Sequence, residues 1–593
     1  MSSKDKRLHE LGQVAAAMVQ GSLSESTRQC GDPSCACAHD PASRHGPHLY
    51  FRYKAEGKVH SVYVPAELGE AVRDAQNAWQ EFQEIGTQIS AENRERLLSS
   101  LERDKQLVRA AKRSRKSGKS DVIEPSRPQL SFAEGLIQEE VGPLWEEWMR
   151  QVDEVLADRE LVQIVYEALD RRWPQSRTRG RPATPAEVVL RMLLLKHMRN
   201  WSYRTLEREV RANLVYRQFT RVGAQKVPDA KTLGRLAIAL GPEILEQIHR
   251  RVVTIACEKR IVRGRRLRVD TTVVETDIHY PTDSSLLGDG VRVLTRAMKR
   301  IAAVAGRAGT RLRDRTRAVG YQVRQIARSS RSRVAQGQER LKVSYRKLLY
   351  HTARVVGQAE RFAEEVATGR KRARGLLEQI GLEADRAYLE QMIPLVRQVM
   401  HQARERIFKG NTHVPGKLVS LFEPHTEVIR KGKAAKPTEF GKMVKIQEAE
   451  AQIVTHYEVY PQRPWDSDLL LPALEVHRQL LGRVPYLLTA DAAFFSQRNA
   501  RTAQAQGVKR VAIPNRSPKR SAERKRLEKK RWFRNAQKWR TGCEGRISLL
   551  KRRHGLNRCR YKGMPGIQRW VGLGVIADNL INIGYALAPS RER

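Results

Sequence analysis

The acidic residues of this chain include three whose positions suit metal-ion chemistry. Asp270 lies inside the β-branched run LRVDTTVV, Asp491 ends the run VPYLLTAD, and Glu544 falls on a helix predicted later in the chain. A carboxylate in a buried strand is costly unless it binds a cation or a hydrogen-bond donor. Two-metal phosphoryl transfer uses carboxylates to hold two Mg²⁺ or Mn²⁺ ions about 3.5–4 Å apart. The three acids therefore predict a site for phosphodiester chemistry.

The helix around Glu544 places further charges on the same face. Arg540 precedes Glu544 by four residues and Lys551 follows it by seven, so the three side chains project together. An acid flanked by two cations suits an approaching phosphodiester, and Gly542 and Gly545 would leave room for a nucleic-acid backbone. The alternative is a pair of surface salt bridges along a charged helix.

Other acids compete with these three. Glu275, Asp277 and Asp283 follow Asp270 closely, and Asp277 is its nearest rival. Glu423 stands with His425 on a later predicted strand. We interpret each of them as a polar residue on a solvated strand edge.

A second candidate metal site lies near the start of the chain. Three cysteines and three histidines cluster there: Cys30, Cys35, Cys37, His39, His45 and His48. Three thiols and one imidazole can close a tetrahedral zinc site, and the preferred imidazole is that of His45. The spacing differs from the usual CxxC pair, so reduced cysteines in a loop are the alternative.

The charge of the chain predicts a nucleic-acid partner. Lys and Arg number 110 against 65 Asp and Glu in 593 residues, a formal net charge of +45. Such an excess repels itself unless a polyanion neutralises it, although a ribosome-associated or merely basic protein is the alternative. The sequence shows neither an apolar run of 18 residues nor a signal-peptide pattern, and six cysteines do not make a disulfide framework. We therefore expect a cytoplasmic protein.

The elements around these residues predict an α/β fold with separate modules, because the chain is too long for one compact core. The expected bounds are 1–65 for a small Cys/His module with a β-hairpin around Gly57, 66–128 for a long helix and basic linker, 129–260 for a helical region, 261–290 with 411–593 for the α/β region that carries the acids, and 291–410 for a helical basic insertion. Further strands are expected at 418–422, 443–446 and 452–460.

The region 129–260 predicts short, capped, Arg-rich helices in a helix-turn-helix-like arrangement. Thr184 is expected to open one helix through a capping box, and Ser202 and Asp229 to cap the next two. The second of these helices offers Arg204 and Arg208 to DNA. Plain helix packing explains the same spacing.

Two further segments are strongly basic. The insertion repeats Arg at helical spacing and predicts a pair of long helices, which form a coiled pair, contact the DNA backbone, or do both. The segment from Lys519 to Arg540 interleaves Trp532, Phe533 and Trp539 with its cations. Such rings can stack on bases splayed from a duplex, while a core role for one or two of them is the alternative.

Several segments together resemble a bacterial insertion-sequence transposase of the DDE type. They are, in order, RVDTT, SLFEPHTEVIRKGK, LTADAAFFS and WRTGCEGRISLLKRRHGLNRCRYKG. The stretch GRPATPAEVVLRMLLLKHMRNWSYRTLEREV is similar to the helical N-terminal domain of those enzymes, and CGDPSCACAHDPASRHGPHLYF to a small module that sometimes accompanies them. The groups concerned are the IS4/IS5-related superfamily and ISNCY-like elements.

The resemblance extends to a signature around the last acid. In that superfamily the signature is Tyr-x2-Arg-x3-Glu-x6-Lys, and Arg540, Glu544 and Lys551 match it. Gln537 stands in the Tyr position, so the role of an aromatic residue there is open, and Trp539 is a nearby substitute.

The resemblance implies an RNase H-like catalytic domain in which Asp270, Asp491 and Glu544 bind Mg²⁺ or Mn²⁺. It implies a nucleoid-associated homodimer that holds double-stranded terminal inverted repeats, cuts them, and joins their 3′ ends to target DNA. Arg540 and Lys551 would hold phosphates near the cut. The alternatives are a catalytically silent, element-derived DNA-binding repressor and an RNase H-like nuclease without strand transfer.

Overall fold

The computed structural model describes residues 13–55, 57–88, 141–172, 183–306, 308–331, 334–430 and 437–588, together with positions 11, 90, 91, 94 and 125. The expected basic linker and the later part of the helix before it lie outside the described residues. The chain divides into two compact units, Met1–Ser120 and Asp121–Arg593.

The first unit is built on a three-stranded antiparallel sheet. Its strands, in spatial order, are β1 (Ser22–Arg28), β2 (His45–Ala55) and β3 (Lys58–Val64). The predicted hairpin of β2 and β3 is confirmed, and Gly57 in its turn has a φ of +78°, which glycine adopts without steric cost. The sequence did not predict β1, which pairs with β2. Residues 69–88 are helical.

The second unit opens with helices that pack around one apolar core. Within the described residues they are α1 (Glu147–Leu156), α2 (Arg159–Asp170), α3 (Ala186–Met198), α4 (Tyr203–Ala212), α5 (Leu214–Phe219), α6 (Ala230–Ala239) and α7 (Pro242–Glu258).

Two of the three predicted helix caps in this region are confirmed. The Ser202 hydroxyl accepts from the Thr205 N–H at the start of α4, and the Asp229 carboxylate caps α6 in the same way. The capping box at Thr184 is wrong, because α3 begins at Ala186 after Pro185 and has no side-chain cap. The acid that would have completed that box, Glu187, instead accepts a hydrogen bond from the buried Arg191 guanidinium at 2.9 Å.

A six-stranded mixed sheet forms the centre of the second unit, so the predicted α/β class is confirmed. Its strands are β4 (Arg266–Glu275), β5 (Glu427–Arg430), β6 (Thr438–Glu448), β7 (Val454–Val459), β8 (Leu487–Ala490) and β9 (Arg510–Ala512). The order is β5-β6-β4-β8-β9, and β7 pairs with β6. β4 is antiparallel to β6 and parallel to β8, which is parallel to β9.

The predicted strand at 418–422 is wrong, since these residues, all of them described, form no strand. The side-chain amide of Gln402 accepts from the backbone N–H of Leu418 and donates to its carbonyl. The backbone of Leu418 is therefore satisfied by a side chain and needs no sheet partner.

The insertion between β4 and β5 is helical. It contains α8 (Asp283–Ala305), α9 (Thr316–Ser329), α10 (Ala335–Ala367) and α11 (Leu376–Phe408). The predicted long pair corresponds to α10 and α11, of 33 residues each. The pair alone is an incomplete description, because α8 and α9 share its apolar core and make a bundle of four.

The remaining helices cover the sheet on both faces. They are α12 (Leu470–Leu481), α13 (Gln497–Ala505), α14 (Ala522–Lys529), α15 (Arg531–Arg553) and α16 (Gly563–Leu587). Apolar residues of β4 and β8 pack with α12 and α13 on one face, while β4 and β6 pack with α15 and α16 on the other. By length and composition α16 could cross a membrane, which the sequence analysis did not expect, but 72% of its apolar window is buried, as in a core helix.

Candidate active site

Two of the three predicted acids lie at the same level on neighbouring strands, Asp270 within β4 and Asp491 directly after β8. Val269 of β4 stands opposite Ala490 of β8 in a parallel pair, so the next residues on each strand are Asp270 and Asp491. Because the two strands run parallel, this pairing sets Asp270 and Asp491 side by side where β8 ends, while β4 continues to Glu275. The sequence predicted both strands. The long connection between them lets β4 and β8 lie side by side in the sheet.

The helix α15 brings the third acid to the same place. Arg540 Nη2 donates to Glu544 Oε1 at 2.8 Å. Arg540 Nη1 lies 3.8 Å from Asp270 Oδ2. One guanidinium thus links an acid of the sheet to an acid of the helix.

The electrostatics of the cluster centre on this arginine. Burial by itself lowers the pKa of Arg540, but the hydrogen bond with Glu544 and the charges of the three acids together raise that pKa above its ordinary value. Arg540 is therefore a fixed cation that partly balances three carboxylates.

The cluster opens toward solvent on its helical side. The side chain of Asp270 is 15% exposed, that of Asp491 38% and that of Glu544 56%. A set of carboxylate oxygens is the donor chemistry that Mg²⁺ and Mn²⁺ prefer. Because the acids surround the half-buried Arg540 and reach solvent, this set could hold a divalent metal ion.

Three residues near the cluster were missed by the sequence analysis, namely Arg516, Thr271 and Asp466. Arg516 is 81% exposed, and its Nη2 lies 4.0 Å from Asp491 Oδ1. Thr271, the residue after Asp270, donates through its hydroxyl to Asp466 Oδ1 at 2.8 Å. The available signal for Asp466 was its place in the acidic run Trp465-Asp466-Ser467-Asp468 just before α12.

A buried arginine on β4 bonds the backbone of α15 next to the cluster. Arg268 is 4% exposed and donates both to the Glu448 carboxylate and to the backbone carbonyl of Trp539. A Cβ at Gly542 would meet Arg268 Nη1 at 2.4 Å, while one at Gly545 would meet no atom within 4 Å. The expectation that Gly542 admits a nucleic-acid backbone is wrong, because the Arg268 side chain fills that space.

Three family models match separate parts of the chain. A transposase domain (DUF772) matches residues 143–237, in the helical region. A transposase DDE domain matches residues 497–583, which include α15 and its cluster. The two transposase matches support an insertion-sequence transposase of the DDE type. A domain of unknown function (DUF6788) matches residues 3–74 of the transposase, and no curated protein and no solved structure matches the chain.

The signature positions of the transposase lie in three different environments. Lys551 is seven residues beyond Glu544, about 10 Å along the helix axis, and its Nζ is 3.9 Å from Glu439 Oε1. Gln537, in the expected Tyr position, donates from Nε2 to Thr489 Oγ1 at 3.0 Å and also to the Ala512 carbonyl. Gln537 therefore joins α15 to β8 and β9, and Lys551 contacts a different part of the sheet from the three acids.

The aromatic residues of the basic segment divide between core and surface. Phe533 is 3% exposed and packs in an apolar cluster with Ala512 and Ala536, which is the core role left open by the sequence. Trp532 is half-buried beside Phe533, with ring centroids 5.6 Å apart. Trp539 is half-buried, with the Arg268 guanidinium 4.7 Å from the centre of its ring. DNA stacking by Trp532 and Trp539 stays a prediction.

The rival acids lie away from Asp270, and the expectation of a solvated strand edge is wrong for Asp283 and Glu423, which are buried and lie on no strand. Glu275 is five residues from Asp270, roughly 17 Å along the strand. Asp277 Oδ1 pairs with Arg558 Nε at 2.9 Å. Asp283 is buried and accepts from Gln402, and Glu423 is buried and accepts from a backbone N–H of α16 at 3.0 Å.

The other predicted DNA-binding and metal-binding residues are distant in sequence from the three acids. Arg204 and Arg208 are exposed on α4, and Arg208 donates to Glu209 at 2.7 Å. In the first unit the ligand atoms of Cys30, Cys35, Cys37 and His45 lie within 4.8 Å of one another.

Proposed function

We propose that the transposase cuts DNA at the ends of its element and joins the 3′ ends to target DNA at a site formed by Asp270, Asp491 and Glu544. The observation that carries the proposal is the meeting of these acids around Arg540, from two adjacent strands and one helix. An RNase H-like interpretation of this domain has the same support, since rigid neighbouring strands can fix two ligands and a helix packed on the sheet can bring the third.

The donor set fits Mg²⁺ or Mn²⁺, with Asp270, Asp491 and Glu544 as ligands. When bound, two such ions supply Lewis-acid stabilisation to the attacking and leaving oxygens of a phosphodiester. The strands hold Asp270 and Asp491 in place, while the exposed Glu544 closes the site from the helix. With Asp270 and Glu544 bound to metal, the planar guanidinium of Arg540 would be available to a phosphate, for which it is a bidentate donor.

DNA reaches this site through the basic surfaces of the chain. The exposed Arg204 and Arg208 on α4, and Lys551 on α15, contact phosphates of the element end and give binding a steep salt dependence. Both ends of an element must be cut and joined to the target in one complex, so the active species is a homodimer on paired ends.

Asp491→Ala tests the proposal with paired element ends, a target plasmid and Mg²⁺. The unchanged protein should cut and join, whereas the variant should do neither and still bind DNA with unchanged affinity. Asp277→Ala, which removes an acid paired with Arg558, is the matched control and should retain both activities. Cleavage by the Asp491 variant would refute the assignment. Cutting without joining by the unchanged protein would indicate a nuclease, and binding alone a repressor.

A further inference from the structure

The first unit carries a cluster of metal-binding side chains that the catalytic proposal does not use. Cys30 follows β1, Cys35 and Cys37 lie in the loop between β1 and β2, and His45 opens β2. The register of the sheet sets Arg28 of β1 opposite His45, so the two ends of the loop meet at one edge.

The distances in the cluster fit a tetrahedral ion. Cys35 Sγ lies 3.2 Å from His45 Nε2, and Cys30 Sγ lies 3.5 Å from Cys37 Sγ. Zinc bonds of about 2.3 Å to sulfur and 2.0 Å to nitrogen place tetrahedral ligand atoms roughly 3.5–3.8 Å apart. A disulfide needs about 2.05 Å between its sulfurs, and these cysteines are free thiols.

The loop that carries the ligands is held by local hydrogen bonds and has almost no apolar packing. Of residues 29–44, all of them described, Cys37 alone is buried, at 1% exposure. A loop without an apolar core gains its stability from another source, and a structural metal supplies such energy directly. The neighbouring histidines have other contacts: His39 Nε2 lies 3.2 Å from the Pro33 carbonyl oxygen, and His48 packs edge-on against Tyr63.

We propose that Cys30, Cys35, Cys37 and His45 bind one structural zinc ion, which fixes the loop between β1 and β2 to the edge of the sheet. This gives the domain of unknown function at residues 3–74 a metal-binding role. The proposal is independent of the catalytic site, whose donors are carboxylates.

Metal analysis of the full-length protein tests the zinc site. We expect one zinc ion per chain, and the visible absorption of a tetrahedral thiolate site after cobalt(II) replaces it. Cys37→Ser and His45→Ala should lose the zinc, while the matched controls Cys257→Ser and His39→Ala should keep it. Substoichiometric zinc in the unchanged protein, or full zinc in both ligand variants, would overturn the proposal.

A measurement on the unchanged protein covers the case in which the variants misfold. The three loop cysteines should be alkylated slowly in the purified protein and quickly after a chelator is added, as followed by peptide mass. Equal rates with and without the chelator would contradict the zinc site. Glu544→Gln should leave the zinc content unchanged, which separates this result from any failure of the catalytic proposal.

The helical insertion between β4 and β5 has a groove with a volume of about 320 Å³. It is lined by Arg292, Val293, Arg296, Arg300, Tyr388 and Phe422. The three arginines are four residues apart on α8, so they repeat about every 6 Å along one face. Arg300 Nε donates to Asp385 at 2.9 Å, and Arg292 donates to Asp289, which holds both guanidinium groups in place.

One exposed ring and one half-buried ring beside this row of arginines fit an unpaired DNA strand. Phe422 is 50% exposed and Tyr388 is half-buried. Guanidinium groups bind phosphates, and bases free of a duplex stack on such rings. We infer that this groove binds a single-stranded segment of the DNA end, an inference that rests on the proposed function and extends it to the insertion.

Binding of oligothymidylate to the full chain, in EDTA and low salt, tests the groove. Arg296→Glu should weaken binding about tenfold and reduce its salt dependence, and Phe422→Ala should weaken it about fivefold. Arg361→Glu makes the same charge change at an exposed position outside the groove lining and should bind more tightly than Arg296→Glu. Equal affinities for these variants would overturn the inference. Since the assay contains no divalent metal, it is unaffected if the catalytic assignment fails.

Discussion

Helix α15 carries two arginine–acid pairs in opposite environments. Near its middle, Arg540 bonds Glu544, whose side chain is 56% exposed, and reaches Asp270. Six residues after Arg540, on another face of the helix, Arg546 bonds Asp578 of α16 at 2.9 and 3.0 Å. In that second pair both side chains are at most 5% exposed.

The difference separates a site from its scaffold. Asp578 also lies 3.4 Å from His554 Nε2, and Arg546 donates to Gln452 as well, so the buried pair belongs to a closed polar network. Breaking such a pair leaves an uncompensated buried charge. In the Arg540 pair the Glu544 carboxylate faces water, so solvent, a metal ion or a phosphate can replace its contact with Arg540 at little cost. Arginine–acid pairs on one helix thus have two roles: the pair at Arg540 can exchange partners, while the pair at Arg546 holds the helix in place.

The largest expected effect is on activity and concerns the solvent-facing pair of Arg540 and Glu544, called the open pair below. Glu544→Gln should lower Mg²⁺-dependent cleavage by about a thousandfold or more, or roughly 4 kcal/mol, because it removes a proposed metal ligand. The free energy of unfolding should change by less than about 0.5 kcal/mol, since the side chain is exposed. Cleavage of an element-end duplex and urea unfolding measure the two quantities.

A matched control for this variant is Glu523→Gln, at an exposed glutamate on the neighbouring helix α14. The control should cleave at the normal rate. Cleavage by Glu544→Gln within tenfold of the unchanged protein would remove Glu544 from the site and leave the two pairs on α15 functionally alike.

The buried pair of Arg546 and Asp578 should show the reverse, a large loss of stability with little direct effect on cleavage. Asp578→Asn should lower the free energy of unfolding by about 3–5 kcal/mol, because Arg546 then stays buried without its counter-charge. Urea unfolding of the full chain measures the loss, and cleavage should fall only as the folded fraction falls. The double change Arg546→Met with Asp578→Leu should be more stable than the single variant, since no charge is left unpaired. A single variant as stable as the unchanged protein would contradict the comparison.

Local patterns in the sequence were sufficient for some of this arrangement. The strands around Asp270 and Asp491 follow from β-branched and apolar runs, and the caps at Ser202 and Asp229 from residues one turn away. The hairpin around Gly57 is local in the same sense. Each feature depends on neighbours in the chain, which a single sequence displays.

Contacts between distant segments could not be predicted in this way. The guanidinium that fills the space at Gly542 comes from Arg268, and the partner of Lys551 is Glu439, on another strand. The spacing of Arg540 and Glu544 predicted a shared face, but their link to Asp270 depends on how α15 lies over the sheet. Helix spacing gives the direction of a side chain, and tertiary packing alone decides what stands there.

Two glycines near the open pair test how tightly α15 is seated. Gly542→Ala should lower the free energy of unfolding by about 1–3 kcal/mol, because the new Cβ would displace the Arg268 guanidinium from its buried bonds. Gly545→Ala meets no neighbouring atom and should raise stability by up to about 1 kcal/mol through helix propensity. Thermal unfolding of the two variants gives the comparison, and equal shifts would show that Arg268 does not constrain the helix.

The smallest effect is expected at Gln537, between the open site and the sheet. Gln537→Met removes the amide that donates to Thr489 Oγ1 and the Ala512 carbonyl, yet Thr489 Oγ1 still donates to that carbonyl at 2.8 Å. The cost should therefore be about 1 kcal/mol in urea unfolding, with cleavage lowered by about fivefold or less. Thr489 stands two residues before Asp491, so a small shift of β8 would account for that loss. A much larger loss of cleavage at unchanged stability would mean that Gln537 contacts the substrate, as an aromatic residue could in its place. The border between site and scaffold would then lie one turn earlier on α15.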